Sequence, residues 1–277
     1  MARVIGIVSG KGGVGKSTVA VNLALALKEF KKNVTLVDCN LSTPHLSYYL
    51  GTSDYTGTIN DVLRDKIDVH SALYNYNGIK YLPASAKFED LIGIELAKFK
   101  KHLSKLEKNA DFVILDAAPG LGKEALFVMD ACKEILFVTS PHVPMISDVV
   151  RCKEVLRQFG EKKMSILTNM VTYGTQELKK NVIEELTGLP VLGEVPHDSN
   201  VMQSMIMKYP LLEYKPNSLA SINFMRIASL LTEKDYEIPM KVKWHKLMMG
   251  VRNFLMPNEI KMSDNAEDVK REFLSNF

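Results

Sequence analysis

At 277 residues the chain is long enough for one large domain, or for one domain with an appendage. Apolar residues at 46% and charged residues at 24% exclude a disordered or low-complexity chain, and no run reaches the roughly 18 apolar residues that span a bilayer. A net charge of +3 is too small to indicate a nucleic-acid partner by itself, and three cysteines without a C-x-x-C pair exclude a disulfide framework and predict a reduced, intracellular setting. Met1 leads straight into the first apolar run, so no secretory leader is expected.

Val4 to Val8 is nearly continuous apolar sequence, the pattern of a strand buried on both faces. Gly10-Lys11-Gly12-Gly13-Val14-Gly15-Lys16-Ser17-Thr18 follows at once, and Thr18 to Leu27 repeats apolar residues at helical spacing. Strand, glycine loop and helix are the setting in which G-x-x-x-x-G-K-[ST] binds phosphate. Backbone N–H groups close around the phosphates, and the helix N-terminus adds partial positive charge. Lys16 is expected at the β- and γ-phosphates, and the Ser17 hydroxyl on Mg²⁺.

Asn33 to Val37 reads as a second strand ending in Asp38, and Ile79 to Pro83 as a third. Thr58–Asp65 and Val69–Tyr74 read as short helices between them. Glu95 to Leu106 reads as a helix whose outer face carries Lys98, Lys100, Lys101 and Lys105, expected to be solvated, with nucleic acid as the alternative. Asp111 to Leu115 is a fourth strand and runs into Asp116-Ala117-Ala118-Pro119-Gly120. An acidic residue there, after a phosphate loop, is expected to hold Mg²⁺ through a water. Strands at Glu134–Thr139, Met164–Thr168 and Val191–Val195 alternate with helices at Met145–Phe159 and Thr175–Thr187, and Ser199–Lys208 and Ser218–Leu231 are helical. This order predicts an α/β fold, a mainly parallel sheet with helices on both faces and the ligand beyond the strands' carboxyl ends. Cys39, Cys132 and Cys152 are expected in the core; Met202, Met205 and Met207 are expected to pack there too, with the lining of a partner groove as the alternative.

The loop from Gly10 to Thr18, with Lys11 as a second lysine, resembles the deviant Walker A motif of the MinD/ParA family of ATPases. The resemblance runs from about Ala2 to Leu231 and is closest to MinD-like members. It implies a P-loop NTPase fold, ATP and Mg²⁺ as cofactors, and a homodimer sandwiching ATP, with Lys11 reaching the partner's phosphates. Gly10, Lys11, Gly12, Gly13, Val14, Gly15, Lys16, Ser17 and Thr18 would then cradle the nucleotide. Ser17, Asp116 and Asp38 would serve the metal, and Gly120 would sense the γ-phosphate. Asn169 and the Pro196-His197-Asp198 segment would meet the adenine, and Thr139, Ser140, Pro141 and Asp148 would line the dimer face.

Asp38-Cys39-Asn40 departs from the family's Asp-x-Asp, whose second aspartate positions the attacking water. Asn40 can orient a water by hydrogen bonds but cannot accept its proton. Lys11, Lys16, Asp38 and Asn40 are therefore the expected catalytic group, working slowly.

Residues 1–236 form the expected ATPase domain and 237–277 a C-terminal tail. On a helix over about 240–256, Met240, Trp244, Leu247, Met248, Val251, Phe254 and Leu255 share one face, flanked by Lys241, Lys243, Lys246, His245 and Arg252 without an acid. Trp244, Leu247, Met248, Val251 and Leu255 with Lys243 and Lys246 suit an anionic membrane surface, and docking on the protein itself is the alternative. The role of residues 257–277 is open.

Together these features predict a MinD-like switch, cytoplasmic and peripheral on the cell membrane. It would pair its tails with ATP, positioning a division, motility or other surface assembly with the help of an activating or cargo protein. The rivals are a ParA-type DNA-partition ATPase, an iron–sulfur carrier (disfavoured by the lack of cysteine pairs) and a hydrolysis-impaired ATP-binding scaffold.

Overall fold

The computed structural model describes residues 2–237. The amphipathic helix expected at about 240–256, with Trp244, Leu247, Met248, Val251, Leu255, Lys243 and Lys246, lies outside the described residues.

Eight strands form one sheet: β1 (Arg3–Val8), β2 (Val34–Cys39), β3 (Tyr74–Tyr76), β4 (Ile79–Leu82), β5 (Phe112–Ala117), β6 (Glu134–Thr139), β7 (Lys163–Val171) and β8 (Val191–Pro196). Their order is β3-β4-β2-β5-β1-β6-β7-β8. Every neighbouring pair is parallel except β3 with β4. Side chains alternate between two cores, as strand geometry requires. From β1, Val4 and Val8 point into one and Ile5 and Ile7 into the other, and β5 divides Val113 and Leu115 from Phe112 and Ile114 in the same way.

Helices α1 (Lys16–Glu29), α2 (Leu46–Leu50), α9 (Leu211–Tyr214) and α10 (Leu219–Thr232) cover one face. The other is covered by α3 (Ile59–Leu63), α4 (Phe99–Glu107), α5 (Lys123–Ala131), α6 (Val143–Leu156) and α7 (Lys180–Thr187). The short α8 (Ser199–Ile206) packs against α2 and α9. Every residue of α1 from Thr18 to Leu27 is buried, because the helix is pressed between the sheet and α10. Its one buried amide, Asn22, is satisfied: Nδ2 donates to the Thr18 carbonyl at 2.8 Å and Oδ1 accepts from Leu212 N–H at 2.8 Å. After α10 the chain runs back to the end of α1, where Lys234 Nζ donates to the Phe30 carbonyl at 3.0 Å and Tyr236 meets the Phe30 ring edge-on at 6.4 Å.

The expected helix at Val69–Tyr74 is instead a 3₁₀ turn over Val69–Ala72 followed by β3. β3 and β4 form a hairpin closed by Asn77 and Gly78, both at positive φ (43° and 87°). Asn-Gly is the pair that a two-residue hairpin of this hand selects. Helix α7 begins at Lys180 rather than at Thr175, because the Glu177 carboxylate accepts from the N–H groups of Thr172 and Tyr173 and folds that stretch into a loop. Met202, Met205 and Met207 are not core residues. α8 buries only Ser204, and the three methionines are 63%, 37% and 55% exposed.

Three of the four lysines expected on a solvated basic face meet acids, most of them brought from other segments. Lys98 pairs with Asp65 at 2.6 Å and Glu95 at 2.8 Å, Lys100 with Asp130 at 2.7 Å, and Lys105 with Asp68 at 2.5 Å. Much of the charge a nucleic acid would have met is thereby neutralised. No helix among the described residues is long and apolar enough to cross a membrane.

Candidate nucleotide site

The carboxyl ends of β1, β2, β5 and β7 converge on the loop between β1 and α1. Two of its glycines are demanded by space. A Cβ at Gly10 would lie 2.3 Å from Asp148 Cβ and within 3.4 Å of its backbone. Gly15 sits at φ +87°, where L-residues are strained, and a Cβ there would lie 2.3 Å from Asn169 Nδ2. Nothing approaches a Cβ at Gly12 or Gly13 within 4 Å, so the crest of the loop is open. Ser9 Oγ braces it from inside, donating to the Lys11 carbonyl at 2.7 Å.

Lys16 opens α1 and is only 8% exposed. Burial pulls its pKa down, while the nearby carboxylates of Asp116 and Asp38 oppose that shift. Next to it, Ser17 Oγ donates to Asp116 Oδ2 at 2.6 Å. Burial pushes the Asp116 carboxyl up to about 6, against the stabilising effect of Lys16 and the Ser17 hydroxyl. Its second oxygen, Oδ1, is buried with no hydrogen-bond partner. Buried acceptors are normally satisfied, so this oxygen is available to a ligand. A hydroxyl, a carboxylate with a spare oxygen, a buried ammonium and an open glycine loop fit a Mg²⁺–phosphate pair. Among the described residues no group of three His, Cys, Asp or Glu could hold a metal alone. Mg²⁺ needs no such group, because it takes phosphate oxygens and keeps much of its own water.

Asp38 stands opposite Asp116 across the β2–β5 pair. Burial and Asp116 drive its pKa well up, and backbone N–H groups of Asn40, Leu46 and His45 oppose the rise. Oδ1 accepts from Asn40 N–H at 3.1 Å and Oδ2 from Leu46 N–H at 3.3 Å, so its oxygens organise the following loop. Asn40 is buried, and its amide is clasped at both ends by Thr43: Nδ2 donates to the Thr43 carbonyl, and Oδ1 accepts from Thr43 Oγ1 at 3.1 Å.

Gly120, at φ +77°, donates its N–H to the Ser9 carbonyl at 2.9 Å, joining the loop after β5 to the phosphate loop. Asn169 Nδ2 donates to the Val14 carbonyl at 2.9 Å, which brings the end of β7 onto the same loop. Val14 and Thr18 are buried beneath it, and Thr18 Oγ1 reaches Tyr49 Oη at 3.3 Å. Pro196 ends β8. Asp198 is the N-cap of α8, its Oδ1 accepting from Asn200 N–H at 2.9 Å and Nδ2 at 2.7 Å, and so it shapes the turn between β8 and α8. Lys11 is half exposed at the loop's lip, and its ammonium lies 3.5 Å from Asp148 Oδ2.

The structure thus ties Asp116, Gly120 and Asn169 directly to the loop from Gly10 to Thr18 and its flank, and Asp38 with Asn40 to Asp116 across the β2–β5 pair, with Pro196 and Asp198 at the end of β8 next to β7. The sequence reading missed Thr43, Ser42 and Glu124. The Ser42 backbone N–H and hydroxyl both donate to the Glu124 carboxylate, the former at 3.2 Å. An acid in the first turn of the helix after the Asp116 loop was the available signal.

The sequence profile of the ParA family, described as an NUBPL iron-transfer P-loop NTPase, matches residues 1–232. The chain belongs to the ParA family. Within it, an uncharacterised ATP-binding protein of Methanocaldococcus jannaschii is 32% identical over 244 residues, covering 88% of this chain and 92% of the relative. The cell division ATPase MinD of Pyrococcus furiosus superposes with a TM-score of 0.80 at 29% identity, over 84% of this chain and 99% of that one. The septum site-determining protein MinD of Pyrococcus horikoshii, complexed with Mg-ADP, superposes at 0.79 with 29% identity, over 83% and 96% of the two chains. This ParA-family chain therefore has the MinD-type P-loop NTPase fold. Its cysteines Cys39, Cys132 and Cys152 are all free and buried in it.

Proposed function

We propose that this ParA-family protein is a MinD-like ATP switch, which dimerises on ATP, binds an anionic membrane surface through its tail, and positions a surface assembly. ATP and Mg²⁺ are its cofactors. Mg²⁺ would neutralise phosphate charge; Lys16 and the loop N–H groups would hold the phosphates, and Ser17 and Asp116 the metal and its water. The observation that carries the reading is the division of labour between two lysines. Lys16 is buried and meets the site's own need for a cation, while Lys11 stands half exposed on one long ion pair, available to the phosphates of a second copy.

Dimerisation would place two weakly binding tails on one particle, and two linked anchors gain avidity without any new contact. Location at the cytoplasmic face of the membrane follows from that coupling. The test is co-sedimentation with anionic vesicles in ATP, ADP and no nucleotide, comparing intact protein with a truncation after Tyr236. Intact protein should sediment only with ATP, and the truncated form in no state. Equal, negligible sedimentation in every state would overturn the membrane reading, and steeply salt-dependent DNA binding with ATP would replace it by DNA partition.

Turnover is slow on this reading because Asn40 offers an amide where a carboxylate would take the water's proton. The clasp by Thr43 needs a donor as well as an acceptor at position 40, and an aspartate would set a carboxylate against the Thr43 carbonyl. Asn40→Asp should therefore trade one bond of the clasp for a group that can take the water's proton, and raise kcat by about 100-fold, the lower end for a positioned general base. Steady-state phosphate release measures it, and an unchanged or lower rate would show that Asn40 does not limit turnover.

A further inference from the structure

Helix α5 opens on Lys123 and Glu124 immediately after the Asp116–Gly122 loop, and its N-cap, Gly122, makes no side-chain cap. A first-turn glutamate commonly turns back to its own helix's free N–H groups. Glu124 turns outward instead and holds Ser42 twice, by the backbone N–H and by the hydroxyl. The loop it grips is otherwise closed on itself. Asp38 takes the N–H groups of Asn40 and Leu46, and Asn40 and Thr43 hold each other. On the other side, the Asp116–Gly122 loop is tied to the phosphate loop by Gly120 N–H on the Ser9 carbonyl. Glu124 therefore joins the loop carrying Asn40 to the loop carrying Gly120.

We propose that Glu124 is a positioning residue for hydrolysis: through Ser42 it fixes the Asn40–Thr43 clasp relative to the phosphates, and so fixes where Asn40 presents its amide to the attacking water. This rests on the proposal above that Asn40 orients that water. Ser42 is exposed and Glu124 only half-buried, so substitutions there leave the cores untouched. A merely structural contact at such a site would alter neither nucleotide affinity nor turnover.

The test uses the full-length protein, with kcat, KM, binding of a non-hydrolysable ATP analogue and thermal midpoint measured for Glu124→Gln, Ser42→Ala, Asn40→Ala and their double variants. Glu124→Gln and Ser42→Ala should each lower kcat by about tenfold, since small misplacements of reacting groups cost one to two orders of magnitude. Analogue affinity should stay within about twofold and the midpoint unchanged, and in the Asn40→Ala background neither change should reduce kcat further, as for residues acting as one unit. Unchanged kcat in Glu124→Gln, an equal loss of analogue binding, or full additivity with Asn40→Ala would each overturn the latch. If Asn40→Ala itself leaves turnover unaltered, the underlying role of Asn40 falls; if Asn40→Ala is slow and Glu124→Gln is not, only the latch falls.

Discussion

Lys16→Ala should abolish ATP hydrolysis and weaken ATP binding by at least about 100-fold, because a buried charge that has lost its partner costs on the order of 3–5 kcal/mol. The loss extends to the empty protein. Lys16 is the cation that offsets the two facing carboxylates, and without it Asp38 and Asp116 confront each other with both side chains buried. The apo variant should lose about 3 kcal/mol of stability at pH 8. The pH dependence has a definite sign. Asp116 already titrates near 6 because burial raises it against the help of Lys16, and removing Lys16 raises it further. A carboxyl whose folded pKa lies above its unfolded one binds more protons when folded, so stability grows as pH falls through the folded value. The deficit should therefore shrink between pH 8 and pH 5, measured by urea unfolding at both; a deficit that grows on acidification would contradict the assignment of Lys16 as the counter-ion.

Gly15→Ala should cost about 3 kcal/mol, combining left-handed backbone strain of about 1–2 kcal/mol with overpacking of about 1–3 kcal/mol. The new methyl meets Asn169 Nδ2, so relief requires breaking that group's bond to the Val14 carbonyl. Nucleotide binding should fail along with stability, since the loop and the end of β7 are displaced together. Gly12→Ala is the contrasting variant: nothing lies near its Cβ and its φ is not positive, so stability should stay within about 0.5 kcal/mol. Calorimetric midpoints and analogue titration distinguish the two. Similar stability losses in both would mean that the loop is not shaped by contact with Asn169.

The parts of the fold legible in the sequence were those where one physical demand dominates. A strand covered on both faces is continuously apolar, so β1, β5 and β6 stood out, and the phosphate loop announced itself by glycines and by Lys16. α1 was found for an incomplete reason: it reads as amphipathic at helical spacing, yet every residue from Thr18 to Leu27 is buried, which only the α10 layer explains. The β3–β4 hairpin carried its signal openly in Asn77-Gly78, but Tyr74 and Tyr76 have no apolar run around them to mark a strand. α7 was placed too early because Glu177 prefers to fold the Thr172–Tyr173 loop, a choice that depends on side-chain reach rather than propensity. Met202, Met205 and Met207 pattern like core residues, and nothing in a single sequence says that no element among the described residues packs over them. In the site, Asp38, Asn40, Asp116 and Asn169 were legible because they end strands. The Thr43 clasp and the Glu124 grip were not, because each joins a loop to a partner that only folding brings near.

The complete enclosure of α1 bears on how a signal travels. Its first residue is the buried Lys16 of the phosphate loop, and its far end carries Phe30, onto which Lys234 and Tyr236 fasten the chain just before the tail. A helix of 14 residues is about 21 Å long, and this one cannot bend or slide without opening the core around it. It acts as a strut, keeping the tail's root at a constant remove from the chemistry. Nucleotide turnover therefore has no lever with which to reshape that root. In the proposed switch, what turnover changes is arithmetic: whether one tail or two would be carried by the same rigid body.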